Sequence, residues 1–206
     1  MEVTWIVVGP LRTNCYLIRS GNEGILVDPG GDPEDILRFL DEAEVRLKLI
    51  LSTHGHFDHV MSASVVREST GAKYVVHEND VPLVKELSTW TERFLGERIP
   101  SPEVDATVRD GEVIELGNEV VEVLWTPGHT MGSISVVGLD FILTGDTLFK
   151  GTVGRTDFGG SPQLLSTTLE RLKRLPDLIV YPGHGSSTTL AAERMENPFL
   201  NGLLSL

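Results

Sequence analysis

The 206-residue sequence has little cysteine, few aromatic residues and no long hydrophobic run. The single Cys15 excludes an intrachain disulfide and favours a reducing compartment, so we expect a cytoplasmic protein. No apolar stretch approaches the roughly 18 residues that a membrane-spanning helix needs. The first residues also lack the basic and apolar regions of a secretory signal. We therefore expect no membrane association.

Basic side chains are also scarce. Lys and Arg number 17 against 30 Asp and Glu, which gives a net charge of −13. Phosphate contacts need clustered Lys and Arg, so we expect no nucleic-acid partner. A hydrophobic content of 40% and a charged content of 23% are ordinary for a globular protein. The length predicts a single domain over residues 1–206.

Histidine, in contrast, is concentrated in one place. Three of the six histidines lie between His54 and His59, and Asp58 stands among them. An apolar run over 47–51 precedes the cluster and predicts a buried strand, and residues 60–70 predict a helix. The cluster therefore lies between a strand and a helix, where α/β proteins build their sites.

The spacing within this cluster predicts two groups of metal ligands. Residues two apart in an extended loop point to the same side, so His54 and His56 can hold one metal. Asp58 and His59 follow a turn and can face a second metal close by. Imidazole and carboxylate suit Zn²⁺, Fe²⁺ or Mn²⁺. The alternative is a His-rich surface loop without metal, and the buried strand before the cluster argues against it.

Three further ligand-type residues follow predicted strands. His129, Asp146 and His184 each come just after a strand, and a glycine precedes each of them. Glycine lets the chain turn sharply at the end of a strand. A lone histidine is more often structural than a metal ligand, but four strand ends with such side chains are hard to explain by chance. We therefore predict that all four contribute to one site.

The order of elements predicts two similar halves. Strands are predicted over 3–8, 14–19, 24–28, 47–51, 73–76, 112–115, 119–125, 133–137, 141–144 and 178–181, and helices over 33–44, 60–70 and 161–176. Asp32 and Ser161, each followed by proline, are predicted helix N-caps. A short helix is expected after Asp80, and most of 81–104 is predicted to be a connector, with a flap over the site as the alternative. Two facing sheets with helices outside would bury these elements.

The pattern His-x-His-x-Asp-His, then Gly-His, Gly-Asp and a C-terminal Gly-His, resembles the metallo-β-lactamase superfamily. The resemblance implies an α/β fold, a four-layer αββα sandwich with metals at one edge of the sheets. It implies two divalent metal ions, zinc first, with iron or manganese as alternatives. His54, His56 and His129 would hold the first ion, Asp58, His59 and His184 the second, and Asp146 would bridge them.

Details of the sequence resemble one branch of this superfamily. True β-lactamases of the fold usually carry Cys where this chain has Asp146, and flavodiiron proteins carry Glu where it has His56. The stretches 145–149, 154–157 and 196–200 look like compact bacterial glyoxalase II (hydroxyacylglutathione hydrolase) enzymes. The segment after His184 is too short for the helical glutathione-binding domain of the larger members. We therefore expect no such domain and a weak hold on glutathione.

The resemblance implies a dinuclear hydrolase that cleaves a small-molecule thioester such as S-lactoylglutathione through a metal-bridging hydroxide. Asp58 and Asp146 would be its catalytic carboxylates, with Asp58 also orienting the hydroxide. Three alternatives remain: a persulfide dioxygenase with a single iron, a hydrolase of another small ester or thioester, and a metal-binding protein without catalysis. The stretch 154–158 resembles such dioxygenases. Metal stoichiometry and activity would distinguish these classes.

Candidate substrate-binding residues lie after the Gly-Asp motif. Arg155 stands in a glycine-rich loop and can clamp a substrate carboxylate in bidentate fashion, or else pair with Asp157. Lys150 and Tyr181 are weaker candidates for the same pocket. His77 follows a strand and is predicted to be structural or to support a ligand. Cys15 is predicted to be a buried structural thiol.

Overall fold

Two six-stranded β-sheets form the centre of the computed structural model, which describes residues 1–206. The first sheet has the strand order β1-β2-β3-β4-β5-β6. It comprises β1 (Glu2–Val8), β2 (Thr13–Ser20), β3 (Glu23–Val27), β4 (Arg46–Leu51), β5 (Lys73–His77) and β6 (Ala106–Val108). Strands β1 to β3 pair antiparallel and β3 to β6 pair parallel. The parallel strands all end at the edge that carries the histidine cluster.

The second sheet is mostly antiparallel. It comprises β7 (Val113–Leu116), β8 (Glu119–Trp125), β9 (Ile134–Val137), β10 (Phe141–Gly145), β13 (Ile179–Pro182) and β14 (Thr188–Thr189), in the order β14-β13-β10-β9-β8-β7. Only β10 and β13 pair parallel. Strands β9 and β10 pair antiparallel as a hairpin, close to the predicted strands 133–137 and 141–144. A small separate hairpin joins β11 (Leu148–Phe149) to β12 (Thr152–Val153).

Seven helices accompany the sheets. They are α1 (Pro33–Glu42), α2 (Phe57–Val60), α3 (Ala63–Thr70), α4 (Val81–Lys85), α5 (Leu87–Leu95), α6 (Pro162–Leu172) and α7 (Leu190–Glu196). No helix combines the length and the apolar character needed to cross a bilayer.

The core consists of three apolar layers. Between the sheets, Ile18 and Val27 of the first sheet pack with Val123 and Val136 of the second. On the far side of the first sheet, side chains of β2 and β3 pack with residues of α1 and α3, namely Cys15, Leu17, Leu26, Ile36, Leu40, Ala63 and Val66. On the far side of the second sheet, residues of α6 pack with its strands, namely Leu124, Ile142, Leu165, Leu169 and Val180. Successive side chains of β2 point to opposite faces of the sheet, and both faces are buried. This layering confirms the predicted αββα sandwich, and Cys15 is buried as predicted.

The helices differ from the sequence prediction in three places. The helix predicted over 60–70 is two helices, because α2 begins inside the histidine cluster at Phe57. The segment 81–104 is not mainly a connector, since α4 and α5 occupy 81–95. Asp32 precedes α1 but makes no side-chain cap; its Oδ2 accepts a hydrogen bond from the Gly9 amide at 2.7 Å instead. Ser161 does cap α6, accepting from the Leu164 amide.

Candidate metal centre

Hydrogen bonds join the two sheets at the edge where the predicted ligands lie. The Asn14 amide in the first sheet donates to the Gly183 carbonyl at 2.8 Å, and the Ile134 amide in the second donates to the Thr53 carbonyl at 2.8 Å. Tyr16 Oη donates to the Pro182 carbonyl at 2.7 Å. These buried bonds fix the distance between the end of β4 and the end of β13. The ligand loops therefore start from a common, rigid edge.

All seven predicted metal ligands meet at this edge. Their ligand atoms form three overlapping groups, with the atoms of each group within 4.8 Å of one another: His54, His56 and His129; His54, His59 and Asp146; and Asp58, His59 and His184. Sequence reasoning placed the first and third groups around separate metals. The second group shares members with both and contains the residue predicted to bridge them.

Asp146 lies between the two groups. Its Oδ2 is 3.6 Å from His129 Nε2 on one side and 3.5 Å from His184 Nε2 on the other. Its Oδ1 is 3.4 Å from His59 Nε2. Asp58 reaches only the second group, with Oδ2 3.2 Å from His184 Nε2. This arrangement matches a carboxylate shared by two cations beside one that serves a single cation.

Contacts at the far side of the histidine rings direct the near nitrogens into the cluster. Nδ1 of His129 is 2.7 Å from the Arg155 carbonyl oxygen, which only accepts, so this nitrogen carries the proton. The unprotonated Nε2 of His129 then faces His56 Nδ1 at 2.9 Å. The other nitrogen of His56 points at the Phe158 carbonyl at 3.4 Å. Two imidazole nitrogens this close can share one proton or bind one cation, so their positions fit a pair of ligands to the same metal.

Asp28 directs the near nitrogen of His59 into the cluster in the same way. Asp28 was not among the site residues predicted from the sequence. Asp28 Oδ2 lies 2.9 Å from His59 Nδ1, a close charge contact without hydrogen-bond geometry, and the carboxylate favours a proton on Nδ1 while Nε2 faces the cluster. The Asp28 carboxylate also accepts from the Thr53 amide at 2.7 Å and from Thr53 Oγ1 at 2.8 Å. Its own backbone is left-handed, with φ of 58°. The carboxylate that supports His59 is therefore fixed to the loop that carries His54.

Asp80 is a second buried carboxylate that the sequence did not reveal. It accepts from the Gly55 amide at 2.8 Å, the Gly132 amide at 2.7 Å and Thr130 Oγ1 at 2.7 Å. Burial raises its pKa in spite of these three donors. Asp80 thus ties the loop that carries His56 to the loop that carries His129.

Two glycines show how tightly the ligands are packed. A Cβ on Gly183 would lie 2.2 Å from Asp146 Oδ1 and 2.8 Å from His59 Cε1. Gly145, which precedes Asp146, has φ of 48° and would place a Cβ 2.3 Å from Thr53 Oγ1. Sequence reasoning explained both glycines by sharp turns. At Gly183, which lacks a positive φ, the reason is close approach to the ligand cluster.

The donor set fits divalent cations. Burial, with the imidazole of His129, lowers the pKa of His56 to about 4, and burial also lowers the pKa of His54. Burial opposes charge on Asp146, but His59 and His184 outweigh it and hold the pKa of Asp146 well below its usual value. Metal ligands must be neutral imidazoles and ionised carboxylates, and His54, His56 and Asp146 are such groups near neutral pH. His59 and His184 differ, because the neighbouring carboxylates outweigh burial and raise the pKa of each, so a metal must displace a proton from them.

Unpaired polar atoms in the cluster also indicate a cation site. His54 Nε2, His59 Nδ1 and Asp146 Oδ1 are buried and have no hydrogen-bond partner in the protein, and of these His59 Nδ1 lies beside the Asp28 carboxylate. An unsatisfied buried polar atom costs about 1–3 kcal/mol, and a cation is a partner that His54 Nε2 and Asp146 Oδ1 can both bind.

The structure places the other predicted site residues differently. Arg155 lines the cleft above the cluster, where its guanidinium is held by both carboxylate oxygens of Asp157. Lys150 is exposed and does not line the cleft. Tyr181 packs on Tyr16, with ring centroids 5.6 Å apart, and is also outside the cleft. The geometry therefore brings one of the three predicted substrate-binding residues to the site, and that one is already paired.

His77 lies outside the cluster, as predicted. Its ring stacks on Trp125, with centroids 5.7 Å apart and planes 5° apart, and its Nδ1 accepts from the Asn79 amide at 3.2 Å. Both contacts are local and structural.

The cleft over the cluster has a volume of about 440 Å³, within the usual range for small-molecule sites. His56, Asp58, His129, Asp146 and His184 lie on its floor. A bound small molecule would therefore contact both groups of ligands.

Comparison with known proteins agrees with this architecture. The family model of the metallo-beta-lactamase superfamily matches residues 8–184, a range that includes all seven candidate ligands. The chain therefore belongs to the metallo-β-lactamase superfamily. It is 36% identical to the hydroxyacylglutathione hydrolase GloC of Haemophilus influenzae, over 98% of this chain and 99% of that protein.

Three solved structures have the same fold over nearly the whole chain. TTHA1623, solved in a di-iron-bound form, has a TM-score of 0.87 and 35% identity, and the match covers 96% of this chain and 100% of TTHA1623. The B3 metallo-beta-lactamase BLEG-1 has a TM-score of 0.86 and 31% identity, with coverage of 98% and 100%. ETHE1 from Myxococcus xanthus has a TM-score of 0.81 and 31% identity, with coverage of 98% and 85%.

Metal affinity is predicted to rise with pH. Burial disfavours a charged His184, but its hydrogen bonds with Asp146 and Asp58 outweigh burial and raise its pKa to about 9. Below that pH a metal must displace the proton from His184, and the pKa of His59 in the same group is also raised, so affinity should rise at least about tenfold per pH unit from pH 6 to 8. Chelator competition measures this slope, with His77→Asn as a variant that should keep it. An affinity that is flat from pH 6 to 8 would contradict the assignment of His184.

Asp28→Asn is predicted to lower metal affinity roughly 10- to 100-fold, because the amide loses the negative charge beside His59 Nδ1. Asp140→Asn is the matched control, since Asp140 is exposed in the turn between β9 and β10. Chelator competition with both variants, after circular dichroism has confirmed their folding, tests the role of Asp28. Equal affinity in Asp28→Asn and Asp140→Asn would show that Asp28 does not support the site.

Proposed function

We propose that the protein is a metal-dependent hydrolase that cleaves a small-molecule thioester. The observation that carries the proposal is the position of Asp146 between two sets of ligand atoms, which suits a pair of cations. Bound there, two divalent ions would lower the pKa of a water molecule towards neutrality and polarise the substrate carbonyl. Zinc is the first expectation, with iron or manganese as alternatives.

The chain's own residues would orient the reactants. Asp58 is fixed by Thr13, whose Oγ1 donates to Asp58 Oδ2 at 3.1 Å, and it lines the cleft floor. It would hold the attacking water towards the acyl carbon and accept its hydrogen bond. As the new C–O bond forms, the C–S bond breaks and the sulfur leaves with the electron pair. One proton from water goes to the thiolate, the other passes to solvent, and the acid product is released as a carboxylate.

Two further features support a thioester as the substrate. The similarity to hydroxyacylglutathione hydrolase GloC extends over nearly the whole of both chains. The reaction needs no serine or cysteine nucleophile, and the single Cys15 is fully buried beneath the first sheet.

An oxygen-dependent reaction of a persulfide at a single iron is the second candidate. The stretch Gly154–Phe158 resembles that of persulfide dioxygenases, and the similarity to ETHE1 is a specific observation in its favour. The second ligand group, Asp58, His59 and His184, does not separate the two candidates, because the dioxygenases that this chain resembles share these ligands; the number of bound metal ions does.

The test assays one full-length sample loaded in turn with zinc, iron and manganese. We expect thiol release from S-lactoylglutathione with a KM near or above about 1 mM, since few side chains can hold glutathione. Oxygen uptake with glutathione persulfide and hydrolysis of a chromogenic β-lactam are measured on the same sample. Oxygen uptake without thiol release would move the protein to the dioxygenase class, and β-lactam cleavage alone would make it a lactamase.

Asp146→Ala is predicted to reduce both metal content and thiol release. Loss of a shared ligand should cost more than the roughly 100-fold that loss of a supporting residue costs. Asp140→Ala removes a carboxylate from an exposed turn and should retain both properties. Thiol release by Asp146→Ala at the rate of Asp140→Ala would contradict the mechanism.

A further inference from the structure

Aromatic side chains form one wall of the cleft above the ligand cluster. The apolar residues that line it include Leu11, Phe57, Trp90, Phe94, Leu95 and Phe158, three of them from α5. The rings of Phe57 and Phe94 stack with centroids 5.5 Å apart, and Trp90 stacks on Phe94 at 5.9 Å. Phe158 meets Trp90 edge to face at 6.5 Å. We call Trp90, Phe94 and Phe158 the aromatic wall.

This wall is exposed rather than buried in the core. Phe94 retains 49% of its surface and Phe158 retains 39%. Exposed rings grouped beside a polar floor mark a place where an apolar group binds. Because ligand residues such as His56 and Asp146 line the same cleft, the group that covers the wall belongs to the molecule that reacts.

Positive charge, in contrast, is already compensated in the cleft. Arg155 is the only Lys or Arg in the lining, and both oxygens of Asp157 hold its guanidinium. The same guanidinium lies over the Phe158 ring, 4.5 Å from its centroid. Arg93 lies near Trp90, 5.9 Å from its ring centroid, but does not line the cleft. A thiol with two carboxylates, such as glutathione, finds no unpaired cation in the lining, and the net charge of −13 opposes its approach.

We propose that the preferred substrate is a thioester that carries an uncharged aromatic group, which stacks on the aromatic wall while its carbonyl lies over the ligand cluster. This inference rests on the proposed thioester hydrolysis and names the class of substrate. Aromatic rings stack favourably on other rings, so the wall would discriminate an aryl group from a small alkyl group. Binding energy at a distance from the carbonyl would then come from an apolar surface instead of ion pairs.

Binding is tested first, with thioethers that cannot be hydrolysed. Calorimetry on the metal-loaded full chain compares 1-(benzylsulfanyl)propan-2-ol with 1-(ethylsulfanyl)propan-2-ol. We expect the benzyl compound to bind about tenfold more tightly or better, which is the scale of a stacked aromatic contact plus its buried area. Equal affinities for the two compounds would overturn the proposal.

Variants of the aromatic wall test whether its residues cause the preference for the benzyl compound over the ethyl compound. Phe94→Ala should reduce the preference for benzyl to about threefold or less, and its half-exposed side chain makes folding insensitive to the change. Trp90→Phe keeps an aromatic ring and should retain the preference, whereas Trp90→Leu keeps apolar bulk and should lose most of it. Leu139→Ala, with Leu139 89% exposed in a distant turn, is the control and should bind as the unaltered chain does. A preference unchanged in both Phe94→Ala and Trp90→Leu would overturn the role of the wall.

Kinetics then separate this inference from the proposed function. Lactoyl thioesters of benzyl mercaptan, ethanethiol and glutathione vary the thiol, and mandeloylglutathione against lactoylglutathione varies the acyl group. In at least one of these two series, we expect kcat/KM to be at least about tenfold higher for the aryl substrate than for its non-aryl counterpart. That series is the one in which the ring reaches the aromatic wall. Efficient cleavage of lactoylglutathione with no aryl advantage in either series would refute the inference but leave thioester hydrolysis standing. No thioester cleavage at all would refute both.

Discussion

The candidate metal centre depends on contacts that fix the outward nitrogen of its histidine rings. The Arg155 carbonyl holds Nδ1 of His129, and the Asp28 carboxylate faces Nδ1 of His59. Each contact turns the other nitrogen of the ring inward, so that lone pairs and carboxylate oxygens converge on a small volume. Such convergence is unfavourable without a cation, because the atoms repel or stay unpaired. Most other features of this edge, including the hydrogen bonds between the sheets and Gly183, maintain that convergence.

The cluster of candidate ligands could be predicted from the sequence because its signals are local. His54 to His59 follow an apolar strand directly, and His129, Asp146 and His184 each follow a strand and a glycine. Strands that end at one edge of facing sheets bring such residues together whatever their distance in sequence. The αββα fold was predictable for the same reason, since alternation and apolar runs mark the strands independently of their partners.

The supporting carboxylates could not be predicted in this way, and the part of the aromatic wall that lies in 81–104 was covered only by the alternative of a flap over the site. Asp28 acts on Thr53 and Asp80 acts on Gly55, each across 25 positions, and a lone aspartate after a strand has no distinguishing local signal. Helix α5 turns Trp90 and Phe94 towards the cleft instead of the core, so its pattern is unlike that of an ordinary packed helix. For Arg155 the sequence allowed either a substrate carboxylate or Asp157, and only side-chain geometry shows the pairing with Asp157.

The central claim is that seven side chains form one centre for two cations, with Asp146 between them. Anomalous scattering from crystals of the zinc-loaded protein tests it most directly. The account predicts two peaks in each chain, one among His54, His56 and His129 and one among Asp58, His59 and His184, with Asp146 in contact with both. A single peak at full zinc loading, with His59 and His184 unbound, would contradict it.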